Sequence, residues 1–217
     1  MFGIENYLGF VLAAILLNLT PGTDSMYIIT RSVSQGQAAG VYSVLGITTG
    51  SLIHTLLAAL GLSVLLASSP LAFMIVKYIG AAYLCYLGLK MLLSKPSNAI
   101  ANSLSNDKVI LNQHKVDHWQ IYKQGVLTNV FNPKVALFFI AFFPQFIDPS
   151  YGYGMLSFLI LGLTFASTGF LWCTCLALLA ARFSTRLREN PSIETMLNRI
   201  SGMVFIGLGL KLLTEKA

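Results

Sequence analysis

The sequence predicts an all-α membrane protein of six transmembrane helices, built as two inverted three-helix repeats whose first and fourth helices are broken at proline. Three observations predict it. Hydrophobic residues make up 55% of the 217-residue chain and charged residues only 10%, against about 25% charged in a soluble domain. Six apolar stretches recur, each near or above the roughly 20 residues a helix needs to cross a bilayer. One set of landmarks also occurs twice, in the same order. A single compact core needs far fewer apolar residues than this chain carries, so the surplus faces lipid. That excludes a soluble enzyme, a secreted disulfide scaffold and a disordered chain.

The stretches run over 4–30, 38–66, 71–93, 122–147, 153–181 and 197–213. Their length and lack of period-2 alternation exclude membrane strands. The first has no basic flank, only Glu5, and no small-residue cleavage site precedes the second, so it reads as a span and not a cleaved signal peptide. The net charge of +6 would suggest nucleic acid in a soluble protein. Here the basic residues lie between apolar runs and report topology instead. Arg31 lies between spans one and two. Lys90, Lys95, Lys108, Lys115 and Lys123 lie around the gap between three and four, and Arg182, Arg186, Arg188 and Arg199 between five and six. The opposite side has Lys77, Lys211 and Lys216. The positive-inside rule puts the first group in the cytoplasm and both termini outside. The polar stretch 94–120 is a cytoplasmic loop. His114 and His118 in it have no acidic or thiol partners to complete a ligand set, so no metal site is expected. Cys85, Cys173 and Cys175 sit in apolar runs and read as small apolar fillers.

The repeat is legible in three places. Gly88-Leu89-Lys90 matches Gly209-Leu210-Lys211, Leu45-Gly46-Ile47-Thr48 matches Leu161-Gly162-Leu163-Thr164, and a break at Pro21 matches one at Pro133. Residues 1–95 and 119–217 are then two copies of one unit, joined by the loop 96–118 in one membrane domain. Three spans per unit is an odd number, so the second copy enters upside down. Inverted repeats of this kind build many secondary transporters.

Each unit begins with a broken span, Asn18-Leu19-Thr20-Pro21-Gly22-Thr23-Asp24 and Asn129-Val130-Phe131-Asn132-Pro133-Lys134. Proline removes an interior helix bond and clashes with the preceding turn. In lipid such a break belongs against protein or a water-filled cavity. Thr20-Pro21 and Asn132-Pro133 both read as an N-cap followed by proline at the first helical position. Two half-helix N-termini meeting at the midplane suit a carboxylate. Asp24 and Lys134 fall in the first turns. One reading pairs them with each other as a structural tie. The other gives the substrate ammonium or a proton to Asp24 and the substrate carboxylate to Lys134, since ionisable residues inside the membrane mark function. Thr20, Pro21, Gly22, Asp24, Asn132, Pro133 and Lys134 are the candidate substrate-binding residues. Asp24 and His54 are the candidate proton relay, although a satisfied packing histidine explains His54 as well. Tyr83, Tyr86, Trp119, Tyr122, Tyr151 and Tyr153 mark membrane interfaces. Small residues such as Gly46, Gly50, Gly162 and Gly169 mark close helix packing, and small-residue faces also permit a homodimer.

The break N-x-T-P-G-x-D at 18–24, Gly46-x-x-x-Gly50, Tyr78-Ile79-Gly80-Ala81-Ala82-Tyr83-Leu84 with Gly88, and Asn132-Pro133-Lys134 resemble the LysE/RhtB family of amino-acid exporters along nearly the whole chain. The pattern is nearer the RhtB branch. The resemblance implies a bacterial inner-membrane protein that exports neutral amino acids or derivatives, of the homoserine, threonine or leucine type, with the proton gradient as driving force and no cofactor. Where the family usually has a second proline in its first break, this chain has Thr23. Rival readings within the same layout are a thiol-electron carrier, which would need cysteines in spans one and four, and a metal exporter, which would need a His or acidic cluster. A passive channel for small solutes is the remaining alternative. No nucleophile–base arrangement suggests an enzyme.

Overall fold

A computed structural model of the chain describes residues 2–64, 70–93, 116–148 and 151–189, with Arg199, Gly202, Met203, Ile206, Gly207 and Leu210. Most of the 94–120 loop, His114 included, most of the sixth span, and the side chains of Lys77, Arg182, Arg186 and Arg188 lie outside the described residues. The described chain is almost entirely helical, with no strand beyond one isolated bridge among the described residues. The helices are α1 (Tyr7–Leu19), α2 (Thr23–Gln35), α3 (Gln37–Leu57), α4 (Pro70–Leu92), α5 (His118–Val130), α6 (Pro133–Phe142) and α7 (Gly154–Glu189). A π-helical turn, Ala58–Leu62, continues α3, and a 3-10 turn, Phe143–Phe146, continues α6.

Both predicted breaks are present. α1 and α2 meet at a 49° bend, and α5 meets the α6 segment at 47°. By length and composition, each bent pair is long and apolar enough to cross a bilayer as one span, as are Gln37–Leu62 and Gly154–Ala180. At 23 residues, α4 matches the predicted third span. Leu8, Leu12, Leu57, Leu60, Leu163 and Leu171 each leave more than half their surface outside the packed interior. Leucines turned outward in this number belong in lipid. The chain is a multi-pass membrane protein.

α7 corrects one expected boundary. Its 36 residues rise about 54 Å, well beyond a hydrocarbon core of about 30 Å. Arg182, Arg186 and Arg188, expected between spans, therefore ride on a helical extension. No glycine or proline interrupts 181–189, and arginine, leucine and alanine there are good helix formers.

α3 lies at the centre, packed against α5, α7 and α2. Its crossing with α5 is made possible by paired glycines. A β-carbon at Gly46 would stand 2.3 Å from Tyr122 O and 3.0 Å from Gly125 Cα, and one at Gly50 would stand 2.7 Å from Asn129 Cβ. Gly46-x-x-x-Gly50 thus receives Gly125-x-x-x-Asn129. α4 packs on α6 and meets the sixth span where Gly88 and Gly202 face each other, each with the other's carbonyl under 3 Å from its virtual β-carbon.

Two contacts fix which ends share a face. Near the N-terminus, Ile4 pairs with Ile147 in an isolated antiparallel bridge. Glu5 N donates to Phe146 O at 2.9 Å and Asp148 N to Gly3 O at 2.8 Å. At the other end, Tyr42 at the start of α3 stacks on His118 at the start of α5, with centroids 4.7 Å apart. The two bent spans therefore enter from opposite faces.

Candidate functional site

Proline chemistry sets the geometry of both breaks. An uninterrupted helix would carry a bond from residue 21 to the carbonyl of Leu17, and from residue 133 to the carbonyl of Asn129. Pro21 and Pro133 have no N–H, so each leaves that oxygen short of its helical donor. In each break the preceding residue supplies a tighter bond: Thr20 N donates to Leu17 O at 3.2 Å, and Asn132 N to Asn129 O at 3.0 Å. In each a nitrogen from elsewhere comes to the same oxygen. Lys134 Nζ donates to Leu17 O at 3.2 Å and to Thr20 O at 3.0 Å. His54 Nε2 lies 3.3 Å from Asn129 O.

The second break matches the N-cap reading. Asn132 caps α6, its Oδ1 accepting from Lys134 N at 3.0 Å, and Pro133 opens the helix. The first break does not. Thr20 ends α1: its N–H reaches back to Leu16 and Leu17, and its hydroxyl donates to Leu16 O at 2.7 Å. Gly22, in extended conformation, is the N-cap of α2, with Pro21 between the helices. A threonine hydroxyl can serve a helix end as readily as a helix start, and here it shares the Leu16 oxygen with the Thr20 N–H, which a carbonyl's two lone pairs allow.

Around the breaks lies a small cavity of about 30 Å³, lined by Leu17, Asn18, Gly22, Asp24, Ser25, Ile47, Thr48, Ser51, Asn129, Lys134, Val135, Phe165, Ala166, Gly169, Phe170 and Cys173. Of the sequence-predicted residues, Gly22, Asp24 and Lys134 line it. Thr20, Pro21, Asn132 and Pro133 shape the backbone around it. His54 is buried, stacks on Phe139 at 5.4 Å, and does not line it.

The two charges do not form the direct pair that one reading of the sequence offered: no ion pair joins Asp24 to Lys134. The reason is that each has another partner. Lys134 extends from the start of α6 to the C-terminal carbonyls of α1, where partial negative charge accumulates. Gly22 makes way for it, since a β-carbon there would lie 3.2 Å from Nζ. Asp24 Oδ2 accepts from Asn129 Nδ2 at 2.7 Å, and Ser51 Oγ donates to the same side chain's Oδ1 at 3.4 Å. Asp24 Oδ1 is buried without a hydrogen-bond partner among the described residues. An ammonium has three donors, and two of Lys134's are used. Asp24 and Lys134, of opposite charge, thus line one cavity, each with hydrogen-bonding capacity not taken up by the described residues.

In the sequence Asn18 and Asn129 stand out only as parts of the breaks and Thr48 only as part of the repeat, and nothing singles out Ser25 or Ser51. Asn18 Nδ2 donates to Thr168 Oγ1 at 3.1 Å and packs beside Gly169, joining α1 to α7. The usable signal was a polar amide inside an apolar run. Which way each points depends on helix rotation. No group of three or more His, Cys, Asp or Glu side chains that could hold a metal occurs among the described residues.

The family described as LysE type translocator matches residues 15–216. A leucine efflux protein of Salmonella typhimurium is 30% identical over 98% of this chain and 97% of its own length. An uncharacterized membrane protein of Pseudomonas aeruginosa is 34% identical over 98% of this chain and 96% of its own, and one of Bacillus subtilis 30% over 96% and 98%. No solved structure matches the chain significantly.

Proposed function

The chain belongs to the LysE type translocator family, and from that premise we propose that it exports neutral amino acids or close derivatives across the bacterial inner membrane by secondary active transport. One observation carries the reading. Asp24 and Lys134 line the same cavity, Asp24 with one oxygen that has no hydrogen-bond partner among the described residues and Lys134 with two of its three donors on backbone carbonyls. A zwitterion supplies the complement, its ammonium to Asp24 and its carboxylate to Lys134, so no charge is left unpaired on binding. Leu17, Ile47, Val135, Phe165 and Phe170 give the substrate side chain apolar surroundings, which suits the homoserine, threonine or leucine type. The likeness to a leucine efflux protein supports the same class.

In this conformation the cavity has room for about two waters, so an amino acid enters only when the helices around it part. Proton coupling is part of the proposal. A proton on Asp24 would cancel its hold on the substrate ammonium and so promote release. His54 bonds the backbone of Asn129, whose side chain holds Asp24, which gives the relay a second member. Thr20, Pro21, Asn132 and Pro133 act by shaping the two half-helix ends. We place both termini in the periplasm on the strength of the positive-inside rule.

The deciding experiment loads reconstituted vesicles with a panel of labelled amino acids and imposes a proton gradient. Gradient-responsive flux of small neutral amino acids, lost in Asp24→Asn, is expected. Downhill flux of many small solutes, indifferent to the gradient, would make the protein a passive channel.

A further inference from the structure

We propose that the carbonyl oxygens of Leu17 and Thr20 form a monovalent-cation site that the chain fills with its own ammonium, that of Lys134. In transporters with interrupted helices, unwound carbonyls and the C-terminal ends of half-helices hold the coupling Na⁺ or proton. Here the same elements are present. Pro21 withholds a donor from Leu17 O, Thr20 O caps the end of α1, and the α1 dipole directs partial negative charge at both. What sits on them is Nζ of Lys134, at 3.2 and 3.0 Å.

Two further features fit a built site. Gly22 is extended at φ −163°, a backbone any residue adopts, so its lack of a side chain answers to space and not to conformation. The space is that of the ammonium, because a β-carbon would lie 3.2 Å from Nζ and 3.6 Å from Cε. The second break repeats the device with a different nitrogen, His54 Nε2 on the carbonyl that Pro133 leaves short. Each proline-released oxygen is thus met by a nitrogen of the protein. Lys134 also ties α1 of the first half to α6 of the second, so the tethered cation bridges both breaks.

The consequence is that no free alkali cation is needed at this position. The inference uses no substrate identity, and the test is read without substrate, so failure of the export reading leaves it standing. Lys134→Ala is purified in detergent and its thermal unfolding followed in equal ionic strengths of ammonium, methylammonium, sodium and choline chloride. The variant should melt below wild type. Ammonium or methylammonium should raise its melting temperature by roughly 2–4 °C over choline, with no such selectivity in wild type. If all four salts act alike on the variant, the site is not a cation site. Should Lys134→Ala fail to fold in choline chloride, it is purified in ammonium chloride throughout; recovery of folded protein in ammonium but not in choline is expected, and failure in both overturns the proposal.

Discussion

Asp24 treats its two oxygens differently: Oδ2 is held by Asn129, and Oδ1 is buried with no partner among the described residues. A buried acceptor left open is costly, of order 1–3 kcal/mol and more when charged, and such a cost is tolerated where a ligand meets it. Asp24→Asn removes the charge and keeps the shape, so it should insert and fold normally yet lose export, as measured by efflux from preloaded cells. Wild-type efflux by a well-expressed Asp24→Asn protein would falsify the site. Asn129→Leu leaves both oxygens without a donor. It should lower unfolding stability by about 1–3 kcal/mol and weaken export together, in thermal melts and flux assays of the same preparation. The two charged residues were legible in the sequence because a charge in an apolar run has few innocent explanations. Asn129 was not, because its role depends on which way α5 is turned. Thr20 was misread because the same hydroxyl serves either helix end, and only the bond to Leu16 decides.

The elements differ in how far their sequence determined them. The two proline breaks were readable because proline acts locally, and they bend the spans by 49° and 47°. The paired small residues of α3 were readable as a contact, but their partner was not, since sequence does not say which helix comes alongside. The structure supplies α5, so close at Gly46 that a methyl group would meet the carbonyl of Tyr122 at 2.3 Å. Backbone does not yield as a side chain does. Gly46→Ala should therefore force α3 and α5 apart and cost at least about 1–3 kcal/mol, seen as a lower melting temperature and poor expression. The extension of α7 past the apolar run was hidden because hydropathy marks where lipid ends, not where a helix does.

Across the whole molecule, the cavity is closed unequally on its two sides. Toward the N-terminal face lies a thick seal with eight phenylalanines, Phe10, Phe138, Phe139, Phe142, Phe143, Phe146, Phe158 and Phe165. Toward the face of Tyr42 and His118 the buried cluster is Ile28, Val44, Ile47, Cys173 and Ala177. Two polar bonds supplement it: Tyr27 OH donates to Ile121 O and Arg31 to Gln124, each at 2.7 Å. Polar bonds that water can replace open more easily than packed aromatic rings. Arg31→Ala should raise maleimide labelling of the buried Cys173 several-fold, followed at that residue by mass spectrometry; unchanged labelling would place the weaker seal elsewhere. Ser105→Cys should resist an impermeant thiol reagent in intact spheroplasts if the basic face is cytoplasmic. The small bridge between Ile4 and Ile147 acts, finally, as a parity condition. Two segments hydrogen-bonded to each other occupy the same aqueous phase, so the chain between them crosses an even number of times. With α4 counted as the third span expected from the sequence, the bent pair α1–α2, α3, α4 and the bent pair α5–α6 make four crossings. Turning the whole molecule over preserves the bridge, whereas turning over the first span alone breaks it. The first span is therefore not free to obey its own flanking charges, and orientation is decided by both halves as one unit.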